Sequence, residues 1–346
     1  MPPSNQKALV LHEIGTPLRL ETNRPVPSPD QDQVLVKVHV AGLNPHDQKS
    51  RDLGLFVQNL LPAVLSNDVV GVVVEAGSSV SDFKLGDRIV GQANWVKESP
   101  QSGLQEYAVL DAEHASHIPD SVSNDEAATL PTNTLAPVVA LFEPSKLGFV
   151  APWAAEGDYN RDTILVIGGA SACGKFATQF TKLAGIGRIV VLGGDEAELK
   201  GFGATKVLSR FGEAEEVRAR IQAAVGDDLR FVLDCVNAPE QQHIGINALS
   251  LTSGGKLARL RRTGTIQTEL VREGAKYELV DIFGSSFEYP DLCKPFWKAL
   301  PEYLVARKIR PLASRVIDGL DSEAVNKALD DYRDGRKVLK ANVHVS

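Results

Sequence analysis

The sequence predicts an α/β protein in which a doubly wound parallel sheet follows a mainly β region. Three observations carry that expectation. Residues 164–167 form a short, continuously apolar run, the pattern of a strand buried on both faces. A cluster of small residues follows at once. Phe176, Ala177, Phe180, Leu183 and Ala184 then recur at helical spacing up to a stop at Gly185, before a second apolar run over 189–192. Further strand-like runs at 207–208, 230–234 and 256–260 alternate with helical stretches near 213–225 and 239–250, as in a parallel sheet crossed by helices.

Between the first strand and its helix stand Gly168, Gly169, Ala170, Ser171, Ala172, Cys173 and Gly174. Small residues there let the backbone approach a pyrophosphate, whose charge then lies at the helix N-terminus. The bland alternative, a tight turn in a fold that binds no nucleotide, leaves that density of small residues unexplained. Against G-x-G-x-x-G, Gly169 and Gly174 fill the outer positions and Ser171 the middle one, where serine still admits a phosphate and can donate to it.

The second strand ends in Leu192, Gly193 and Gly194. A carboxylate there would bind the ribose diol of NAD, and its absence leaves room for a 2′-phosphate. NADP is therefore the expected cofactor. Lys200 and Arg210 are the candidate phosphate partners, though each taken alone reads as a solvated surface charge. Asp195 lies slightly late for the NAD role, and a short shift would restore it. The ligand-binding carboxyl edge is completed by residues 234–236, with Cys235 and Val236, and by the turn after Leu260.

At 346 residues the chain has room for two domains with substantial cores. Its 37 basic and 44 acidic residues leave a net charge of -7, where a nucleic-acid binder would show a basic excess. No apolar run approaches the roughly 18 residues of a membrane helix, and residues 1–6 lack the basic and apolar regions of a signal peptide. Cys173, Cys235 and Cys293 are far apart and odd in number, so neither a disulfide framework nor a zinc lobe is expected. A reducing, cytoplasmic setting follows as the default.

From the start, residues 7–40 read as β structure, with Val34, Val36, Val38 and Val40 alternating with Leu35, Lys37 and His39 as a half-buried strand. Residues 41–49 read as a polar turn leaving it. Strands follow at 69–77, on either side of a Gly86-Asp87 turn, and over 104–110. A helical stretch runs from Glu126 to Phe142, and 143–162, with Pro144, Gly148, Pro152 and Gly157, reads as a loop or linker. After the sheet, residues 290–346 hold a helix, a second helix with Leu320, Val325 and Leu329, and a last strand near 341–345.

Residues 42–49 (Gly-Leu-Asn-Pro-His-Asp-Gln-Lys), 71–77, 86–91 and 164–174, in this order along almost the full chain, resemble the medium-chain dehydrogenase/reductase superfamily. Asn-Pro-x-Asp-x-Lys at 44–49, the loop through Pro152 and Trp153, and 164–169 are similar to its zinc-independent, ToxD-like fungal branch, which includes trans-acting enoyl reductases of polyketide pathways and lies near the quinone oxidoreductases. The resemblance implies a GroES-like catalytic domain over 1–132, a Rossmann-type NADP-binding domain over 133–286, and a return to the catalytic domain over 287–346. It implies reduction of an activated C=C bond on a small-molecule or carrier-bound acyl substrate, with a polyketide synthase as the partner. Aldehyde or quinone reduction on the same fold, or nucleotide binding without hydride transfer, are the rival readings.

The family's catalytic zinc takes a cysteine where this chain has Asn44, a histidine followed by glutamate where it has Asn67-Asp68, and a third ligand near Thr132. None offers the soft or imidazole set that tetrahedral zinc wants, so a metal-free site is expected. His114 and His117 have no third ligand near in sequence and read as structural. Without zinc, donors must polarise the acceptor: hydride goes to the β-carbon, charge grows on the carbonyl oxygen, and the α-carbon takes a proton. Lys49 matches the lysine of the family motif beside the nicotinamide and is the candidate for that work, with a purely structural or cofactor-holding role as the equal alternative. Asn44 and Thr132 complete the catalytic set, and His46 and Asp47 join the cofactor set, although Asp47 also reads as fixing the turn. The chain departs from the family at Ala136, where a threonine that contacts the cofactor is common, at Ser209-Arg210, usually Asp-Tyr, and over 338–342.

Overall fold

The computed structural model describes residues 2–345, which divide into two compact units: 2–132 with 297–307 and 311–345, and 133–296 with 308–310. In the first unit lie β1 (Asn5–Leu11), β2 (Arg19–Pro25), β3 (Gln33–Gly42), β4 (Ala63–Val64), β5 (Asp68–Ala76), β6 (Arg88–Gln92), β7 (Tyr107–Asp111) and β8 (Ala115–His117). The tail of the chain adds β15 (Ser314–Asp318) and β16 (Lys340–His344). They form a three-stranded sheet, β2-β1-β4, and a seven-stranded sheet, β15-β16-β3-β5-β6-β8 with β7 also on β3.

β3 is central: β5 pairs along one edge, while β7 and β16 divide the other. Val34, Val36 and Val38 enter the core with Leu9, Leu43, Val69 and Ile89 while Lys37 stays exposed. The expected alternation breaks at Leu35, which is also buried because the strand is covered on both faces. β16 runs antiparallel to β3 with Asn342 opposite Gly42, and Leu43 N–H donates to Ala341 O. That register brings Lys340 level with Asn44.

Residues 45–53 are not a turn. They form α1 (Pro45–Leu53), closed by Gly54 in the left-handed region at φ 74°. The helix starts at Pro45 because proline suits the first position, and the Asp47 carboxylate takes the Asn44 N–H at 2.7 Å. The helical stretch expected over 126–142 is also two pieces, α2 (Asn124–Ala127) and α3 (Pro131–Phe142), since Pro131 lacks the N–H that a continuous helix needs. The strand expected over 104–110 is confined to β7.

The second unit is a six-stranded sheet of β9 (Thr163–Ile167), β10 (Arg188–Leu192), β11 (Lys206–Leu208), β12 (Phe231–Asp234), β13 (Gly255–Arg259) and β14 (Tyr277–Asp281). Every pairing is parallel and the order is β11-β10-β9-β12-β13-β14, so the chain winds out one way from β9 and then the other. That is the doubly wound arrangement, with its switch point at the end of β9. α4 (Ala172–Leu183), α5 (Glu196–Phe202) and α6 (Ala214–Val225) cross between strands. The stretch expected as a helix over 239–250 holds only a 3₁₀ turn at Pro239–Gln241 and α7 (His243–Ile246). β14 and β15 were not expected, and Leu320 precedes rather than joins α9 (Ser322–Arg333), which follows α8 (Pro290–Val305). No helix among the described residues is long and apolar enough to cross a membrane.

α4 lies so close to β9 that a Cβ on Gly174 would stand 2.2 Å from Gly168 O. Gly174→Ala should therefore destabilise the protein by about 1–3 kcal/mol through overpacking, seen as a lowered midpoint in denaturant unfolding. An unchanged midpoint would show that the loop yields freely.

Candidate active site

The residues singled out in the first unit converge on one carboxylate. Asp68, at the start of β5, is fully buried. Its Oδ2 accepts from Asn44 Nδ2 at 2.9 Å and from Lys340 Nζ at 2.6 Å, and its Oδ1 accepts from the Thr132 N–H at 2.9 Å and Thr132 Oγ1 at 2.6 Å. Lys340 also donates to Asn44 Oδ1 at 2.8 Å and Leu43 O at 3.2 Å. Four donors fill the acceptor positions of a carboxylate, and one of them carries the countercharge that burial demands. Burial pushes the Asp68 carboxyl up, but the Lys340 ammonium, with the Asn44 and Thr132 bonds, outweighs it and holds the group below its ordinary range. Lys340 was visible in the sequence only as part of a departure from the family pattern over 338–342.

Around this pair α1 is anchored from below. Asp47 takes the Asn44 and Ser66 N–H groups on its two oxygens, at 2.7 and 2.9 Å, and its side chain is wholly buried. Burial raises its pKa against the pull of His46 and those amides. Its carboxylate has no surface left for a cofactor, so the turn-fixing role is the one the geometry gives it. Lys49 is half-buried on α1, two residues past Asp47. His46 Nε2 lies 3.3 Å from Asn67 Oδ1, and since Asn67 Nδ2 donates to Ala93 O, that oxygen is fixed as the acceptor and Nε2 carries the proton. Phe56 and Trp95, which the sequence reading missed, stand 6.3 and 5.8 Å from the His46 ring and 5.5 Å from each other, an aromatic wall beside it. Phe56 has φ 67°, rare for a bulky side chain.

In the second unit the small-residue loop takes up its expected place at the switch point. Ser171 caps α4, accepting from Gly174 N–H at 3.0 Å, while its hydroxyl donates to Gly168 O at 2.8 Å. That proton is committed inside the loop, so what the first turn offers an anion is backbone N–H and the helix dipole. Ala170 is exposed and Ser171, Ala172 and Cys173 are half-buried, so the turn is reachable. Gly169 must be glycine because a Cβ would meet Gly193 O at 2.4 Å. Val236 covers Gly168. Cys235 is buried, its thiol pushed well up by burial, with Cys173 and Asp234 adding to the effect. Asp234 has one buried oxygen without a partner, and burial lifts its carboxyl to about 6.

At the end of β10 the stem of Arg210 runs past Gly193, where a Cβ would sit 3.3 Å from Arg210 Cδ. Arg220 donates to the carbonyls of Ser209 and Phe211 on either side of Arg210 and pins its loop. Lys200 instead pairs with Glu196 at 2.7 Å on exposed α5, and Asp195 spends its carboxylate capping that helix at Glu198 N–H. Ala136 is buried, and a Cβ on Gly284 would come within 2.7 Å of its Cα. The donors and glycines of this edge fit a dinucleotide. Of the three charged groups expected here, Arg210 lies beside Gly193, while Lys200 and Asp195 are engaged on α5.

Comparison with known proteins agrees with this geometry. The Alcohol dehydrogenase GroES-like domain matches residues 30–120. Dehydrogenase orsE of Emericella nidulans is 30% identical over 361 residues, covering 99% of this chain and 100% of the relative. The chain belongs to the medium-chain dehydrogenase/reductase family. Trans-enoyl reductase FMN2 of Fusarium mangiferae is 28% identical over 388 residues, covering 98% of this chain and 99% of that one. Among solved structures, a mycobacterial protein complexed with NADPH superposes with a TM-score of 0.72 at 22% identity, covering 98% of this chain and 100% of its own. The chain is thus an oxidoreductase of the medium-chain dehydrogenase/reductase family. Among the described residues no three His, Cys, Asp or Glu side chains are grouped to hold a metal ion.

Lys340→Met should leave Asp68 as a buried charge without its counterion and cost about 3–5 kcal/mol at neutral pH. The pH dependence separates this from simple loss of packing. In the wild type, Asp68 is held below its unfolded value, so its contribution is present above that value and lost as pH falls toward the folded one. Without Lys340, burial outweighs the remaining Asn44 and Thr132 bonds and the folded value rises above the unfolded one, so acidification relieves the variant. Its deficit should shrink between pH 7 and about pH 4, and a deficit that is constant or grows would refute the assignment.

Proposed function

We propose that this chain is an NADPH-dependent reductase of activated C=C bonds, acting without zinc on a small-molecule or carrier-bound acyl substrate. The carrying observation is the saturated network on Asp68. Where the family has soft metal ligands, this chain sets amide, hydroxyl and ammonium groups that satisfy one another. Polarisation then falls to hydrogen-bond donors, which suits a conjugated carbonyl whose charge ends as an enolate. The name of the Fusarium relative, a trans-enoyl reductase, supports the same reaction, and we take a polyketide synthase as the partner holding the acyl chain. The cofactor, when bound, supplies hydride. The chain's own tasks are to seat the pyrophosphate on the first turn of α4, to meet the 2′-phosphate with Arg210, and to supply donor and proton. We assign the donor role to Lys49, with Asn44 and Thr132 in the supporting set and His46 at the substrate wall.

NADPH should bind at least about tenfold more tightly than NADH, a difference of roughly 1.4 kcal/mol. Arg210→Ala should erode that preference in a fluorescence titration while Lys200→Ala leaves it. Loss of both affinities alike in the Arg210 variant would contradict the assignment.

Lys49→Met should lower the single-turnover rate of cofactor oxidation at saturating NADPH by about 10²–10³-fold. A rate near wild type with weakened NADPH binding would make Lys49 a cofactor ligand instead. A panel of enals, enones, aldehydes and quinones separates the proposed reaction from its rivals, and activity should survive dialysis against a strong chelator. Stoichiometric zinc in elemental analysis would overturn the metal-free reading.

A further inference from the structure

A second cluster of charged groups in the first unit, built on β3, β6, α2 and β16, takes no part in the chemistry above. It lines a cavity of about 320 Å³ with His39, Val40, Arg88, Asn124, Asp125 and His344. We propose that this cavity binds a phosphate group, as the free ion or as a phosphate ester.

The hydrogen bonds fix which atoms remain to bind it. Asn124 Oδ1 accepts from Arg88 Nε at 3.3 Å and Nη2 at 2.9 Å, which settles the amide's orientation and turns its Nδ2 toward His39 Nδ1 at 3.3 Å. His39 Nδ1 is therefore the acceptor, and the ring carries its proton on Nε2. Arg88 Nη2 also donates to Val122 O at 2.9 Å, which leaves its Nη1 edge. Two donors on cavity-lining side chains, Arg88 Nη1 and His39 Nε2, thus have no hydrogen-bond acceptor among the described residues.

The charges point the same way. Asp125 is the one carboxylate in the lining, and it is already engaged by His344 Nε2 at 3.0 and 3.1 Å and by Asn342 Nδ2 at 3.0 Å. Asp318 lies 3.9 Å from the other nitrogen of His344 and is nearly fully exposed. Neither Arg88 nor Lys37, two residues before His39 on β3, has an acidic partner among the described residues. Burial first, and then Lys37 and Arg88, lower the pKa of His39, and a bound dianion would offset the part due to the two cations. A tetrahedral dianion meets a planar guanidinium edge and an imidazole N–H with separate oxygens, and it draws on Arg88 in the lining and on the nearby Lys37 outside it more fully than a monocarboxylate does. The cavity is larger than a bare phosphate needs and leaves room for the organic part of an ester.

The test is isothermal calorimetry on the full chain with sodium phosphate, phenyl phosphate and sodium acetate, together with NMR titration of the histidine rings. Phosphate should bind with a dissociation constant at or below about 1 mM, the scale of a few charge-assisted bonds, and should raise the His39 pKa. His39→Gln and Arg88→Gln should each weaken binding about tenfold or more. Arg88 also braces the segment at Val122, so its variant is read only beside an unchanged thermal midpoint, and His39→Gln carries the test if that midpoint falls. Tighter binding of phenyl phosphate than of phosphate would identify an ester as the occupant, and equal binding the free ion. Acetate binding as tightly as phosphate, no saturable phosphate binding, or wild-type affinity in His39→Gln would overturn the proposal.

Discussion

The first unit depends on one buried ion pair. Asp68 and Lys340 are 272 residues apart in sequence and 2.6 Å apart in space, and between them they gather Asn44 from the start of α1 and Thr132 from the start of α3. A buried carboxylate survives only when countercharge and donors reach it together, so each of these four chain segments is held where it is by the same requirement. Asn44 illustrates the economy of the arrangement. As the residue preceding α1 it would ordinarily cap the helix with its side chain, but that amide is spent on Asp68 and Lys340, and Asp47 takes over the backbone of the helix start. The position of Lys49 is therefore inherited: Asp68 fixes Asn44, Asn44 and Asp47 fix the start of α1, and the helix carries Lys49 at its fifth residue.

The second unit solves its problem with backbone. Its sheet is wholly parallel, so strand ends and helix starts collect along one edge, and the loop after β9 brings the N-terminal amides of α4 to that edge. The chain can come so close there only because Gly169 and Gly174 present no Cβ to Gly193 O and Gly168 O. The side chains with exposed charge are mostly turned to local tasks: Lys175 pairs with Glu198, Lys200 with Glu196, and Asp195 caps α5. Arg210 differs in that Arg220 pins the carbonyls on either side of it, and its guanidinium lies over the Phe211 ring, 5.3 Å from the centroid.

How far the sequence foretold this depended on the range of the interaction. The β-α-β unit was legible because its signals are local: a run of four apolar residues, a cluster of small ones, then helical spacing. The dinucleotide edge followed for the same reason. α1 was misread as a turn although its signals were also local, an asparagine, a proline at the first position, an acid at the third and a glycine at the end. Of its nine residues only Pro45 and Leu53 are apolar, so periodicity gives nothing and the capping chemistry is the sole clue. β14 and β15 were missed because neither is an apolar run; each is half-buried at the rim of its sheet. Lys340 and the Phe56–Trp95 wall were invisible in principle, since both exist only through contacts between distant segments.

The substitution of a lysine–carboxylate pair for soft ligands also constrains the kind of reaction the proposed site can favour. Lys340 and Asp68 cancel each other, so the network adds no net positive charge to the positions where the family's metal ligands lie. Oxidising an alcohol requires stabilising a localised alkoxide, for which a neutral set of hydrogen bonds is a poor match. Reducing a conjugated double bond spreads the charge over an enolate that is quenched at carbon, and one or two donors meet that demand. His46 and the aromatic rings beside it form a wall, and the His46 Nε2 proton is already given to Asn67. The proposed conjugate reduction asks for no more than this network plus the one added donor assigned to Lys49, because the charge is spread over the enolate before it is quenched at carbon.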